Sequence, residues 1–323
     1  MLFQNTRARL ACAAVGLALV ATACGGETTG SGDDLSGTIR VDGSSTVAPL
    51  SEAAAELFRE DNSAVQVTVG TSGTGGGFEK FCAGEIDISD ASRPIKDKEK
   101  AACEAKGVVF EELVVANDGL SLVVNKENTW AECLTVDQLK KIWEPKSKVN
   151  NWNQVDAKFP NVPLKLFGAG TDSGTFDYFT KEINGEEGAS RTDYNTTEDD
   201  NVTVQGVSGD KGGLGYFGLS YFEENEAKLK AVQVDGGAGC VAPSRETVQD
   251  GTYKPLARPL YIYPTATLLA RPEGVAFVEF FASNANEIAE EARFVPLTDV
   301  QVTELKAKID ALKSKSGATP AAT

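Results

Sequence analysis

Short apolar runs separated by polar, glycine-rich breaks set the rhythm of this chain. Residues 38–41 (TIRV) alternate as a strand does, and Val47, Leu50, Ala54, Leu57 and Phe58 then recur at helical spacing. Val65, Val67 and Val69 predict a second strand, residues 78–82 begin a second helix, and Ile86 and Ile88 mark a third strand. Residues 108–115 and 120–124 are further apolar runs, 134–143 is amphipathic and helical, and 164–167 is a strand leading to a helix from Thr175. Residues 215–221 and 260–263 read as buried strands, and 274–292 as a helix. This alternation of strand, loop and helix predicts an α/β fold. No internal repeat of about 20–50 residues stands out.

Both ends of the chain depart from this pattern. Arg7 and Arg9 precede an apolar stretch, residues 10–23, that is too short to span a bilayer comfortably. It ends Ala21-Thr22-Ala23-Cys24, so the segment reads as an export signal over residues 1–23, with Cys24 the lipidated first residue of the mature chain. Ala21 stands where leucine is commoner in such a cleavage motif, and a plain signal-peptidase site is the competing reading. Residues 24–35 are polar and glycine-rich and read as a flexible tether, and residues 314–323 as a disordered tail.

At 323 residues the chain fits two domains of about 130–150 residues each. Its formal charge is −16, and removal of Arg7 and Arg9 with the signal takes it to −18. Such acidity argues against a nucleic-acid surface, which needs a basic footprint. Any anion site must therefore be local and built from dipoles. The chain has no histidine, which excludes Ser-His-Asp and Cys-His catalysis and HExxH metal binding. Export places the cysteines in an oxidising compartment. With Cys12 lost and Cys24 lipidated, Cys82, Cys103, Cys133 and Cys240 remain, and three pairings are open. Cys82–Cys103 with Cys133–Cys240 is favoured, because it closes one short loop and leaves one long-range pair. A zinc site is the rival, but no CxxC spacing supports it. No metal and no cofactor are expected.

The informative chemistry lies where predicted strands enter helices. Residues 43–47 read GSSTV, residues 70–77 GTSGTGGG and residues 171–175 TDSGT. A helix N-terminus exposes unpaired N–H groups and partial positive charge; glycine lets an anion approach and hydroxyls add donors. Serine and threonine are also ordinary helix caps, so the weight rests on finding three such junctions together. Ser92-Arg93-Pro94 adds a guanidinium whose fork matches a tetrahedral oxyanion, with a salt bridge to Asp87, Asp90 or another carboxylate as the competing explanation. No Gly-Lys dipeptide occurs, so the second junction is not a P-loop, and neither GxGxxG nor GxSxG is present there.

In order and spacing, VDGSSTVAPLSEAAAELF, GTSGTGGGFEKFCAGEIDISDASRPI and GTDSGTFDYF resemble the periplasmic phosphate-binding proteins of the phosphate ABC importer, the PstS family. LTVDQLKKIWEP with Asn151-Trp152, and GGLGYFGLSYF, are further landmarks, and the resemblance covers residues 36–313. It implies a type II periplasmic-binding-protein fold: two α/β lobes, a two-stranded hinge, and ligand in the cleft. Lobe one is assigned to residues 36–116 plus 256–313 and lobe two to 117–255. The resemblance also implies phosphate ligands at Ser45, Thr46 and the Val47 N–H, at Ser72, at Ser92 and Arg93, and at Ser173, Gly174 and Thr175. Some members carry an aspartate where this chain has Ser92, and an arginine where it has Ala169. Arg93 is expected to supply the missing cation and to be the only one touching the ligand. Asp172, preferred over Asp42, is expected to accept the proton of hydrogen phosphate and so to favour phosphate over sulfate.

The expected partners are inorganic phosphate and the membrane permease of an ABC importer, with no nucleic acid. The expected state is a monomer held at the extracytoplasmic face of the membrane by lipid alone. Binding of another tetrahedral oxyanion such as sulfate is the alternative. A phosphatase-type enzyme and an adhesion role are the readings from other classes. The aromatic residues Trp130, Trp143, Trp152, Phe217 and Tyr221 are assigned to the core, and residues 223–230 to a solvated helix face.

Overall fold

The structure is a computed structural model that describes residues 35–171 and 173–316. Its strands are β1 (Gly37–Gly43), β2 (Val65–Gly70), β3 (Ile88–Ala91), β4 (Leu113–Asn125), β5 (Cys133–Thr135), β6 (Lys165–Ala169), β7 (Asn195–Thr197), β8 (Gly213–Gly218), β9 (Leu229–Asp235), β10 (Cys240–Val241) and β11 (Ala257–Pro264). The helices are α1 (Ala48–Asp61), α2 (Gly73–Cys82), α3 (Asp97–Ala105), α4 (Val136–Trp143), α5 (Trp152–Val155), α6 (Gly174–Asn184), α7 (Asp200–Gly209), α8 (Leu219–Asn225), α9 (Arg245–Gln249), α10 (Pro272–Ser283), α11 (Ala285–Glu291) and α12 (Asp299–Ser316).

The strands run in the order β2-β1-β3-β11-β4-β8-β6-β7, with β9 on the other side of β4 and flanked by β5 and β10. One core gathers Ile39, Val41, Leu50, Phe58, Ile88, Phe277 and Leu305; a second gathers Leu122, Trp143, Trp152, Phe179, Tyr216 and Val232. Two α/β lobes result, each with its own apolar centre. Leu256 and Val295 pack in the second core. β4 is buried along nearly its whole length and serves both lobes. Residues 113–119 pair with β11 and residues 120–125 with β8 and β9. One continuous strand thus runs from Leu113, near the end of the apolar run expected over 108–115, through the run over 120–124, because Asn117, Asp118 and Ser121 are buried and do not end it.

Strand direction explains where the junction loops gather. β1, β2 and β3 are parallel, so residues following Gly43, Gly70 and Ala91 emerge at one edge. β11 runs antiparallel to β3, so its first residues start at that same edge. In the second lobe β6 is parallel to β8, and the loop after Ala169 emerges beside the hinge end of β8, where Gly218 pairs with Leu120. Ligand sites of open α/β sheets lie at such carboxyl edges.

Several sequence expectations are corrected. Residues 219–221 are not strand: β8 ends at Gly218, which caps α8. Residues 223–230 are not one helix face, since α8 ends at Asn225 and β9 begins at Leu229. The helix over 274–292 breaks at Asn284, whose Nδ2 donates to the Phe280 carbonyl at 2.8 Å. Residues 314–316 close α12, which seats Leu305, Ile309 and Leu312 in the first core; the rest of the expected tail lies outside the described residues. Trp143, Trp152 and Phe217 are fully buried, and Trp130 and Tyr221 are half-buried and pack against apolar clusters, with Arg293 over the Tyr221 ring. Cys82 is bonded to Cys103, and Cys133 to Cys240. Cys24 and the signal and tether segments lie outside the described residues.

Candidate functional site

α1 begins after Ser44-Ser45-Thr46-Val47. The Ser44 Oγ accepts the Thr46 N–H at 3.2 Å, and the Ser44 carbonyl accepts the N–H groups of Val47 and Ala48. The Val47 N–H, expected as a ligand donor, is therefore spent on the turn that starts the helix. Ser45 is exposed and Thr46 half-buried at the same helix end.

α6 starts from the other lobe. Its N-cap Ser173 accepts the Thr175 N–H at 3.2 Å, and Gly185 in the left-handed region ends the helix. The two helix ends meet. A methyl group placed on Gly174 would overlap Thr46 Oγ1 and stand 3.2 Å from the Thr46 nitrogen and 3.3 Å from Ser45 Oγ. Only glycine allows this approach, which brings the first and third predicted junctions together across the cleft. Asp172 lies outside the described residues.

The second junction divides. The Ser72 hydroxyl and N–H both donate to Asp42 Oδ1, at 2.7 and 2.9 Å. Asp42 also takes Lys80, so burial, which pushes its carboxyl up, is outweighed by the hydrogen bonds from Lys80 and Ser72, and its pKa is lowered. Ser72 thus spends its hydrogen on a carboxylate. Thr74, not singled out from the sequence, instead faces the third segment: it shares a 3.2 Å hydrogen bond with the Ser92 hydroxyl and accepts the Ser92 N–H at 3.3 Å.

Arg93, the expected cation, is already paired. Arg93 turns to Glu99, giving Nη1 to Oε2 at 2.9 Å and Nη2 to Oε1 at 2.8 Å, and Nη1 also donates to the Pro94 carbonyl. Glu99 is held in place because its Oε2 accepts the Lys96 N–H at the start of α3. Neither Asp87 nor Asp90 pairs with Arg93: Asp87 takes Arg40 and Arg271, and Asp90 takes Ser51.

A second arginine, Arg258 on β11, lies at the meeting of the helix ends. It stands opposite Asp118 of β4 in the hinge register, and its Nε donates to Asp118 Oδ2 at 3.1 Å. Nη2 reaches Thr46 Oγ1 at 3.3 Å, and Nη1 reaches the Ser92 carbonyl at 3.4 Å. The guanidinium carbon lies 3.5 Å from the ring centroid of Tyr178 on α6, and Tyr178 in turn donates to the Pro255 carbonyl at 2.8 Å. Burial raises the Asp118 pKa although Arg258 opposes the shift. It likewise raises Asp177, in the first turn of α6, with Glu187 adding to the rise and Arg258 opposing it.

Arg258 thus touches both lobes, through Thr46 and Ser92 on one side and Tyr178 on the other; Thr74 adjoins Ser92, and Gly174 adjoins Thr46. Its bonds to Thr46 and Ser92, and those between Thr74 and Ser92, are long, so a charged acceptor can recapture these donors at little cost. The sequence contained one hint: Arg258 opens a strand, but the apolar run read there began two residues later, at Leu260. Among the described residues, no group of three or more Cys, Asp or Glu is placed to hold a metal. No described helix is long and apolar enough to cross a membrane.

Two α/β lobes joined at a pair of hinge strands, with helix N-termini and a cation at the cleft, define a ligand-binding protein of the periplasmic type. A profile described as "PBP superfamily domain" matches residues 28–285. Protein SphX of Synechococcus elongatus is 50% identical over 262 residues, covering 80% of this chain and 77% of its own. The phosphate-binding protein PstS of Staphylococcus saprophyticus is 41% identical over 304 residues, covering 94% and 93%. The crystal structure of "a possible phosphate binding protein" from Planctomyces limnophilus superposes with a TM-score of 0.82 at 48% identity, covering 86% of this chain and 99% of that one. The chain belongs to the PBP superfamily and, within it, to the family of PstS and SphX.

Proposed function

We propose that the protein captures inorganic phosphate outside the cytoplasm and delivers it to the permease of a phosphate ABC importer, as a binding protein without covalent chemistry. The observation that carries this reading is the meeting of the α1 and α6 N-termini beside Arg258. Two helix dipoles, hydroxyls and a guanidinium fork then surround one tetrahedral anion. Arg258 is the proposed cation in place of Arg93. Ser45, Thr46, Thr74, Ser92, Ser173, Gly174 and Thr175 are the proposed donors; Ser72 joins them only by releasing Asp42. The lobes are proposed to divide at Ala116/Asn117 and Pro255/Leu256. The relatives named phosphate-binding support the choice of anion.

Asp172 adjoins Ser173, and we keep it as the proposed acceptor of the ligand's proton. An unprotonated sulfate oxygen facing a carboxylate finds no hydrogen bond and meets like charge. Attachment through a lipidated Cys24 and a monomeric state complete the proposal. Calorimetry with phosphate and sulfate on wild type and Asp172→Asn tests it. Strong preference for phosphate in wild type, reduced in the variant, is expected. Comparable sulfate binding by wild type overturns the phosphate assignment, and undiminished discrimination in the variant removes Asp172 from the role.

A further inference from the structure

Asp90 lies on β3 directly behind the α1 end of the cleft. Its backbone carbonyl accepts the Ser44 N–H at 2.9 Å. Gly43, at φ +146°, packs so closely that a methyl group there would overlap that carbonyl. Asp90 Oδ1 accepts the Ser51 hydroxyl of α1 at 2.9 Å, while Oδ2 has no partner and the residue is fully buried. Its neighbours in the sheet are Gly43 of β1 and Ile262 of β11. The charged groups that bear on it are Asp42 of β1, itself paired with Lys80, and Glu52 of α1. Burial pushes the carboxyl up to about 8; Ser51 pulls the other way, and Asp42 and Glu52 add to the rise.

We propose that Asp90 is a positioning residue that must carry its proton for the cleft to hold an anion. As a neutral acid it ties β3 to the start of α1. Ionised, it would place a buried negative charge behind the helix terminus whose partial positive charge the anion needs. Water and salt screen little between buried charges, so the two negative groups compete. Ionisation and anion binding then oppose each other, and by linkage binding draws a proton onto Asp90. The inference rests on the reading of the cleft as a phosphate site.

Calorimetric phosphate affinities of wild type and Asp90→Asn from pH 6 to 10 test it, because the ligand's own ionisation cancels in their ratio. Above the midpoint, the wild-type Kd should rise relative to the variant by about tenfold per pH unit, as the competent fraction falls. Near the midpoint, binding to wild type should take up protons that the variant does not, read from buffers of different ionisation enthalpy. Ser51→Ala removes a bond that favours the charged form and should move the onset to higher pH. It also serves as the independent test where the asparagine variant does not fold. A flat ratio with equal proton uptake, or an onset unmoved in Ser51→Ala, overturns the inference while leaving the phosphate site standing. Absence of phosphate binding by wild type at every pH overturns the site and this inference together.

Discussion

Arg93 and Arg258 are built into corners of similar design. Each lies over an aromatic ring, Phe78 at 5.6 Å for the first and Tyr178 at 3.5 Å for the second, and each is paired with a carboxylate. The difference is in which nitrogens the carboxylate takes. Glu99 meets Arg93 fork to fork and uses both terminal nitrogens. Asp118 meets Arg258 at Nε, which leaves the terminal nitrogens to reach Thr46 and Ser92. One acidic partner thus occupies both terminal nitrogens, and the other leaves them free of carboxylate. Availability to a ligand is set by approach angle, not by the presence of an ion pair.

The largest expected effect is the loss of phosphate binding in Arg258→Ala, by at least about a hundredfold in calorimetry, since two charge-assisted hydrogen bonds at about 1.5–3 kcal/mol each disappear. Arg258→Lys should restore little, because the fork is gone. An affinity within threefold of wild type would make the hinge arginine structural.

Gly174→Ala should come next. The added methyl overlaps Thr46 Oγ1 and holds the helix ends apart, so phosphate affinity should fall by more than about tenfold with little change in melting temperature. A wild-type affinity would show that the lobes need not approach this closely around the ligand.

Asp90→Asn should act on stability as well. The folded-state value of about 8 lies above the unfolded value of about 3.9, so the contribution of Asp90 is intact below pH 4 and declines as pH rises to 8. Across that window the variant should gain on wild type by about 1.4 kcal/mol per pH unit, in denaturant unfolding without phosphate. A pH-independent difference between the two would contradict the buried, protonated acid.

Arg93→Ala should show the smallest effects: a change in phosphate affinity under about threefold and a stability loss of about 1 kcal/mol from the half-buried pair with Glu99. A tenfold loss of affinity would return Arg93 to the ligand and erase the contrast between the two corners.

Much of this arrangement was legible in the chain and some was not, for physical reasons. The junctions at residues 43–47 and 171–175 announced themselves because glycine, serine and threonine between an apolar run and a helical period have a local cause. Parallel strands then bring the lobe-one loops to one edge. The position of Arg258 is not legible, because it is set by a hinge register with Asp118, a partner 140 positions away. The Arg93 pairing is not legible for the converse reason: its partner Glu99 is only six residues away, but is aimed by a helix start that periodicity does not reveal. Thr74 and Ser72 look alike in the sequence; a carboxylate on the neighbouring strand, Asp42, separates them. α12 is legible in the chain, since Val302, Leu305, Ile309 and Leu312 recur at helical spacing and pack in the first core, whereas α7 buries only Thr203, Val204 and Val207.

The central claim is that an anion binds on the free face of Arg258 and not beside Arg93. A crystal structure of the protein with bound phosphate tests it most directly. The account predicts a tetrahedral density within hydrogen-bond reach of both terminal nitrogens of Arg258, the Thr46 hydroxyl and the first turn of α6, with Arg93 still locked to Glu99. Density instead in the groove lined by Phe78, Arg93, Lys96 and Lys98, with the Arg93–Glu99 pair broken, would contradict it.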